Sequence, residues 1–151
     1  MRIQRGWSRS QGRSVRLTGF TDLGLRALMR IAGEPGRAFS AGEIAAEFDV
    51  SRDHLAKAMA ALGRAGILAT RRGGGGGAVL ARPASTIRLG EVVRVLERDQ
   101  PLVECFRADG GTCAITARCR LRARFAQAER AFLAELDGST LADCALERPV
   151  S

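Results

Sequence analysis

Apolar positions along the chain fall first into helical periods, then into a strand-like one. From Leu17 onward, Phe20, Leu23, Ala27, Leu28 and Ile31 recur at the spacing of an amphipathic helix, which Gly33 and Pro35 stop. Asp22, Arg26 and Arg30 occupy another stripe of that helix at i, i+4 and i+8. Ser40, Ala41, Gly42 and Glu43 spell a capping box for a second helix, with Ile44 and Phe48 on its inner face. Asp49 and Val50 make a short turn. Ser51 then caps a third helix, which carries Leu55, Met59 and Leu62 inward and is ended by Gly66. Two short helices across a tight turn predict a helix-turn-helix. Residues 67–70 read as a strand, followed by Arg71, Arg72, five glycines (Gly73 to Gly77) and a second strand over 78–80. Glycine this dense makes a hairpin tip. A helix-turn-helix followed by a basic, glycine-tipped hairpin is a winged helix, expected over residues 17–82.

Pro83 separates this unit from a second part, residues 83–151. Residues 87–96 are amphipathic, with Leu89, Val92, Val93 and Leu96 apolar. Residues 98–119 contain Pro101, Gly110 and Gly111 and show no period, so a long loop is expected, a feature tied to function or disorder in compact chains. A helix over 118–136 follows, with Leu121, Phe125, Ala128, Phe132 and Leu136 on one stripe. At 1.5 Å per residue it spans roughly 28 Å. No other long helix is available to bury that stripe, and pairing with its copy in a second subunit is the economical solution. The expected fold class is mainly α with a small β-hairpin wing, plus a long dimerisation helix and a cysteine-bearing loop. Residues 1–16, polar and basic, are expected to form a disordered extension.

Charge sharpens this picture. The chain has 151 residues, 24 of them Lys or Arg against 16 Asp or Glu, for a net charge of +8. Residues 1–82 hold 14 basic and 6 acidic side chains; residues 83–151 hold 10 of each. One half is built for a polyanion and the other is not. At 46% hydrophobic and 26% charged residues, the chain can bury a core. It shows neither a membrane span nor a secretory leader, and four cysteines without an export signal point to a reducing, cytoplasmic setting. No Ser/His/Asp set, P-loop or dinucleotide fingerprint appears, so an enzyme is not expected.

Three of the cysteines, Cys105, Cys113 and Cys119, fall in the irregular stretch with spacing C-x7-C-x5-C, while Cys144 lies far off. Loop thiolates converge readily on a soft metal centre. The close pairs of zinc sites are absent, and iron–sulfur clusters tolerate wider spacing. Three local thiolates leave one position short. Cys144, a carboxylate (Asp22, Glu97, Glu104 or Asp109) or a small molecule are the candidates. For double-stranded DNA, the candidates are Ser51, Arg52, His54 and Lys57 at the start of the third helix, with Arg71 and Arg72 on the wing. A dimer would read a palindromic operator.

At this point the residues resemble a family. Leu-Thr-Gly-Phe-Thr-Asp-Leu-Gly-Leu-Arg-Ala-Leu (17–28), Ser-Arg-Asp-His-Leu (51–55), Arg-Arg-Gly-Gly-Gly-Gly-Gly-Ala-Val-Leu (71–80) and the three cysteines look like the Rrf-type iron–sulfur winged-helix transcriptional regulators. Residues 102–105, 113–121 and 132–143 are most similar to its nitric-oxide-sensitive repressors. The resemblance implies a homodimer whose subunits each hold a [4Fe–4S] cluster, or alternatively a [2Fe–2S] one, through Cys105, Cys113 and Cys119. It implies Asp22 of the partner subunit as fourth ligand, Arg26 and Glu97 near the cluster, and nitric oxide as the signal. The alternative within the family is an iron- or redox-responsive regulator. Three departures stand out: a first cysteine gap of seven residues, longer than the family's usual one; Asp53 where the recognition helix more commonly has Asn; and residues 1–14 ahead of the family's start. The histidine that the iron–sulfur-biogenesis members carry three residues after the third cysteine is replaced by Arg122.

Overall fold

Hydrogen-bonding side chains at the helix starts set out the winged half. The computed structural model describes residues 16–147, so most of the expected basic extension lies outside the described residues. Thr18 caps α1 (Gly19–Gly33) by accepting from the Thr21 N–H. Ser40 opens α2 (Ala41–Phe48) with the expected reciprocal box: its Oγ accepts from the Glu43 N–H at 3.1 Å, and Glu43 Oε2 accepts from the Ser40 N–H at 2.8 Å. Asp49 turns the chain in the left-handed region, at φ 53°, into α3 (Arg52–Arg64). Strands β1 (Leu68–Arg71) and β2 (Gly77–Leu80) pair antiparallel, Leu68 opposite Leu80 and Arg71 opposite Gly77. Helices α4 (Leu89–Leu96) and α5 (Arg120–Asp137) follow.

Leu28, Ile31, Phe39, Ile44, Leu55, Leu62 and Ile67 form the winged-helix core, each at most 1% exposed. The same apolar cluster continues past Pro83 through Ile87, Val92, Leu96 and Leu141. A return segment completes it. The Leu141 N–H donates to the Ile87 carbonyl at 2.8 Å, and the Leu146 N–H to the Met29 carbonyl of α1 at 2.9 Å. Helix α5 differs from every other α-helix described: none of its residues is buried. It lies against α4, where Arg94 binds Asp137 through two guanidinium nitrogens, at 3.0 and 2.6 Å.

Several boundaries differ from those the sequence predicts. Helix α5 starts at Arg120 because Cys119 (φ −82°, ψ 108°) is its extended N-cap, following a 3-10 turn at Thr116–Arg118. Helix α4 starts at Leu89 because Arg88 is extended and bridges to Thr140. The expected loop carries two such short turns, Glu104–Phe106 and Thr116–Arg118. The stripe of Asp22, Arg26 and Arg30 also divides. Asp22 and Arg26 pair at 2.8 Å, both about half exposed, but Arg30 turns inward and is 7% exposed. It binds Glu47 and Glu34 at 2.8 Å each, and its guanidinium sits 4.6 Å from the centre of the Phe39 ring. Burial of a charge is tolerated here because two carboxylates and a ring face meet it.

Candidate nucleic-acid interface and thiol site

Burial along α3 alternates so that Leu55, Ala58, Met59 and Leu62 face the core. Ser51, Arg52, His54 and Lys57 are left exposed, along with Asp53 and Ala56. Ser51 is the N-cap; its Oγ accepts from the His54 N–H at 3.4 Å. The four predicted side chains therefore surround a helix start whose free N–H groups favour phosphate. Pairing separates the cations of this half. Arg26, Arg30, Arg37 and Arg82 each bind a carboxylate. Arg52, Lys57, Arg64 and Arg72 make no ion pair among the described residues. Arg64 is a residue the sequence reading missed. It is exposed, and it lies seven positions, about two turns, after Lys57 on the same face, a spacing that could have revealed it.

The wing is held to the body. Phe39 exchanges backbone hydrogen bonds with Ala78, at 2.9 and 2.8 Å. The Arg37 guanidinium lies 4.4 Å from the centre of the Phe39 ring. At Gly77 a Cβ would stand 2.5 Å from the Phe39 carbonyl carbon, so only glycine permits this approach. Arg71 donates to the Gly36 carbonyl at 3.2 Å, which gives it a structural bond as well as its place on the wing. Arg72 is exposed, with no such bond among the described residues.

In the second half, Cys105 lies in the Glu104–Phe106 turn, Cys113 before the second turn, and Cys119 at the α5 N-cap. All three are free and half-buried, as is Cys144 in the Leu141–Cys144 turn of the return segment. Glu104 Oε1 accepts from the Thr112 N–H at 3.0 Å and the Thr112 hydroxyl at 2.6 Å. Those two bonds, with Arg107 nearby, hold the Glu104 carboxyl below the usual carboxylate range. Asp109 is lowered too, by the Gly111 N–H at 3.0 Å and by Arg107. Glu97, at the C-terminus of α4, reaches α1: its Oε1 accepts from the Thr18 N–H and hydroxyl, both at 2.8 Å, and from the Thr21 hydroxyl. Thr21 is fully buried.

Among the candidate carboxylates, Glu97, Glu104 and Asp109 are each bound by backbone N–H groups, whereas Asp22, among the described residues, has only its exposed ion pair with Arg26. Asp22 is the one most cheaply released. The thiols suit a soft, thiophilic group, and they are free of disulfides and partly accessible. Within one chain they are not closed around an ion: among the described residues, no three or more His, Cys, Asp or Glu side chains gather as a metal-binding group. No described helix is long and apolar enough to cross a membrane.

A winged helix with an unpaired cationic reading helix defines a DNA-binding transcriptional regulator. The family model for Rrf2, described as an iron-dependent transcriptional regulator, matches residues 17–147, and the chain belongs to that family. Its members are regulators rather than enzymes. Among solved structures, the chain is similar to CymR of B. subtilis, named as its global cysteine regulator. Identity is 28% and the TM-score 0.65, over 87% of this chain and 96% of that one. T. potens IscR matches at 25% identity and TM-score 0.65, over 85% of each chain. Staphylococcus aureus CymR, at 24% identity and TM-score 0.65 over 88% of this chain and all of that one, shares the fold.

Proposed function

We propose that the chain is a homodimeric iron–sulfur repressor of the nitric-oxide-sensitive NsrR type, which binds a palindromic operator and leaves it on exposure to nitric oxide. The observation that carries this is the position of the thiol loop. It starts directly after Glu97, whose carboxylate is bonded to the first turn of α1, and α1 packs on the recognition helix α3. Whatever rearranges the loop is thereby felt by the DNA-reading helix.

Cys105, Cys113 and Cys119 would hold a [4Fe–4S] cluster, with Asp22 of the partner subunit as fourth ligand. Bound there, the cluster supplies iron open to attack by a small diffusible molecule, most of all where a hard carboxylate replaces a thiolate. Asp22 would leave Arg26 to take that role, so the sensor loop of one subunit would be tied to α1 of the other. The dimer would form through the exposed stripe of α5, where Leu121 is 59% and Phe132 38% exposed. Loss of the tie lets the two α3 helices shift and spoils their spacing on the two half-sites. Only a few kcal/mol of coupling is required, since ~1.4 kcal/mol is already tenfold in affinity. Such a repressor works in the cytoplasm, beside its DNA.

The test is a gel-shift titration of holo, nitric-oxide-treated and apo protein on one operator, alongside the iron content of anaerobically purified protein. Tight binding by the holo form alone supports the proposal. Equal affinity of the three forms leaves the cluster a structural staple. Tight binding by the apo form alone favours the second reading, an iron-responsive regulator, which the family's description as iron-dependent supports.

A further inference from the structure

The stretch that joins Cys105 to Cys113 is closed into a ring, residues 104–112, rather than left as a free span. At one end, Glu104 Oε1 takes both the N–H and the hydroxyl of Thr112. Inside the ring, the Arg107 guanidinium meets Asp109 at 3.0 and 3.2 Å, and the Gly110 N–H donates to the Arg107 carbonyl at 2.9 Å. Gly111 lies in the left-handed region at φ 65°, so close to the Glu104 backbone that a Cβ would stand 2.6 Å from its carbonyl oxygen. The two chain ends that meet here are each followed by a cysteine. Cys105 comes one residue after Glu104, and Cys113 one residue after Thr112.

We propose that Glu104 is a positioning residue: it sets the separation of Cys105 and Cys113 by binding Thr112, and it does not itself ligate a metal. An open stretch of this length leaves its ends widely distributed, and bringing them together carries an entropic cost each time two thiols must act together. The ring meets that cost while the chain folds, so the two thiols are offered as a pair before any thiophilic group arrives. Both bonds fall on one carboxylate oxygen, donated by a neighbour eight residues on, which is what a clamp requires. The purpose of the pair rests on the thiol-site reading above, but its geometry does not.

The experiment uses the full chain in metal-free form with Cys119→Ser and Cys144→Ser, which leaves Cys105 and Cys113 as its only thiols. The probe is phenylarsine oxide, whose trivalent arsenic forms bonds to two neighbouring sulfurs with loss of water. Adding Glu104→Ala should weaken its capture about tenfold, the scale of losing charge-assisted hydrogen bonds. Thr112→Val, which keeps the N–H, should weaken it by less. Glu104→Gln, whose amide oxygen still accepts from Thr112, should stay near the parent. Unchanged capture in Glu104→Ala overturns the proposal. In the chain with all four cysteines, iron content after anaerobic reconstitution supplies the second arm. Iron retained in Glu104→Gln supports the clamp; iron lost there, with arsenical capture intact, makes Glu104 a ligand and overturns it. If the unaltered chain takes up no iron, the cluster proposal falls, and the arsenical arm still decides the clamp.

Discussion

The two halves of the molecule solve the same problem in opposite ways. From α1 to β2, apolar side chains bury one another, and four acids are matched to arginines: Asp22 meets Arg26, Glu47 and Glu34 meet Arg30, and Glu43 meets Arg37. The cations left over are on α3 and the wing. From the cysteine loop through α5 no residue is buried, and Ile115, Leu121 and Phe132 stand in solvent. The first half packs into a core that Ile87, Val92, Leu96 and Leu141 complete, and it leaves unpaired cations exposed on α3. The second half leaves apolar surface and free thiols exposed, the features on which the proposed dimer contact and thiophilic group rest.

If this contrast holds, substitutions of similar size should act differently in the two halves. Leu55→Ala, at a fully buried position of α3, should destabilise the fold by about 2–5 kcal/mol, visible as a large fall in Tm. Phe132→Glu on α5 should leave the unfolding of the single chain nearly unchanged. It should break the dimer in sedimentation and weaken operator binding by about 100-fold, because two linked half-sites become two separate ones. A Phe132→Glu protein that remains dimeric would put the interface elsewhere. On the cationic face, Lys57→Ala should weaken DNA binding about tenfold and reduce the salt slope by about one. Arg72→Ala should act in the same direction. Arg71→Ala should also loosen the wing, because that guanidinium holds the Gly36 carbonyl.

The smallest effect concerns pH at the α4–α5 contact. Arg94, through its hydrogen bonds, holds the Asp137 carboxyl below the usual carboxylate range. Its folded value is thus lower than its unfolded one, and the stabilisation is complete above the ordinary aspartate value of about 3.9. It is lost as pH falls through the lower, folded value. Asp137→Asn should therefore melt slightly below the parent at pH 7, and the gap should close below about pH 4.

The winged half was legible in the sequence because its signals are local. Ser40 and Glu43 are three residues apart, the glycine tip is contiguous, and the inner faces of α1 and α3 follow one helical period. What stayed hidden depends on distant partners. Arg30 reads as an outward charge until Glu47 and the Phe39 ring are brought to it by the turn into α2. The resemblance placed Glu97 beside a cluster, but no pattern in the chain announces that its carboxylate caps the start of α1. The spacing of the cysteines pointed to a thiol site without revealing that Glu104 and Thr112 close the ring between two of them. The α5 boundary moved by two residues because Cys119 is extended and takes the N-cap position without a side-chain cap bond, and cysteine is not a residue one looks for there.

The return segment has a consequence for biosynthesis. Leu141 fills the core beside Ile87, and Leu146 hydrogen-bonds to Met29 of α1. Helix α1 is thus finished late, since the segment that covers it lies far along the chain from it. Contacts of such long sequence separation form slowly, and until they form the chain exposes apolar surface. A chain cut short before residue 141 would therefore carry every residue proposed to contact DNA and yet lack a settled α1. Prematurely terminated copies should be cleared by proteases instead of competing with the intact regulator for its operator.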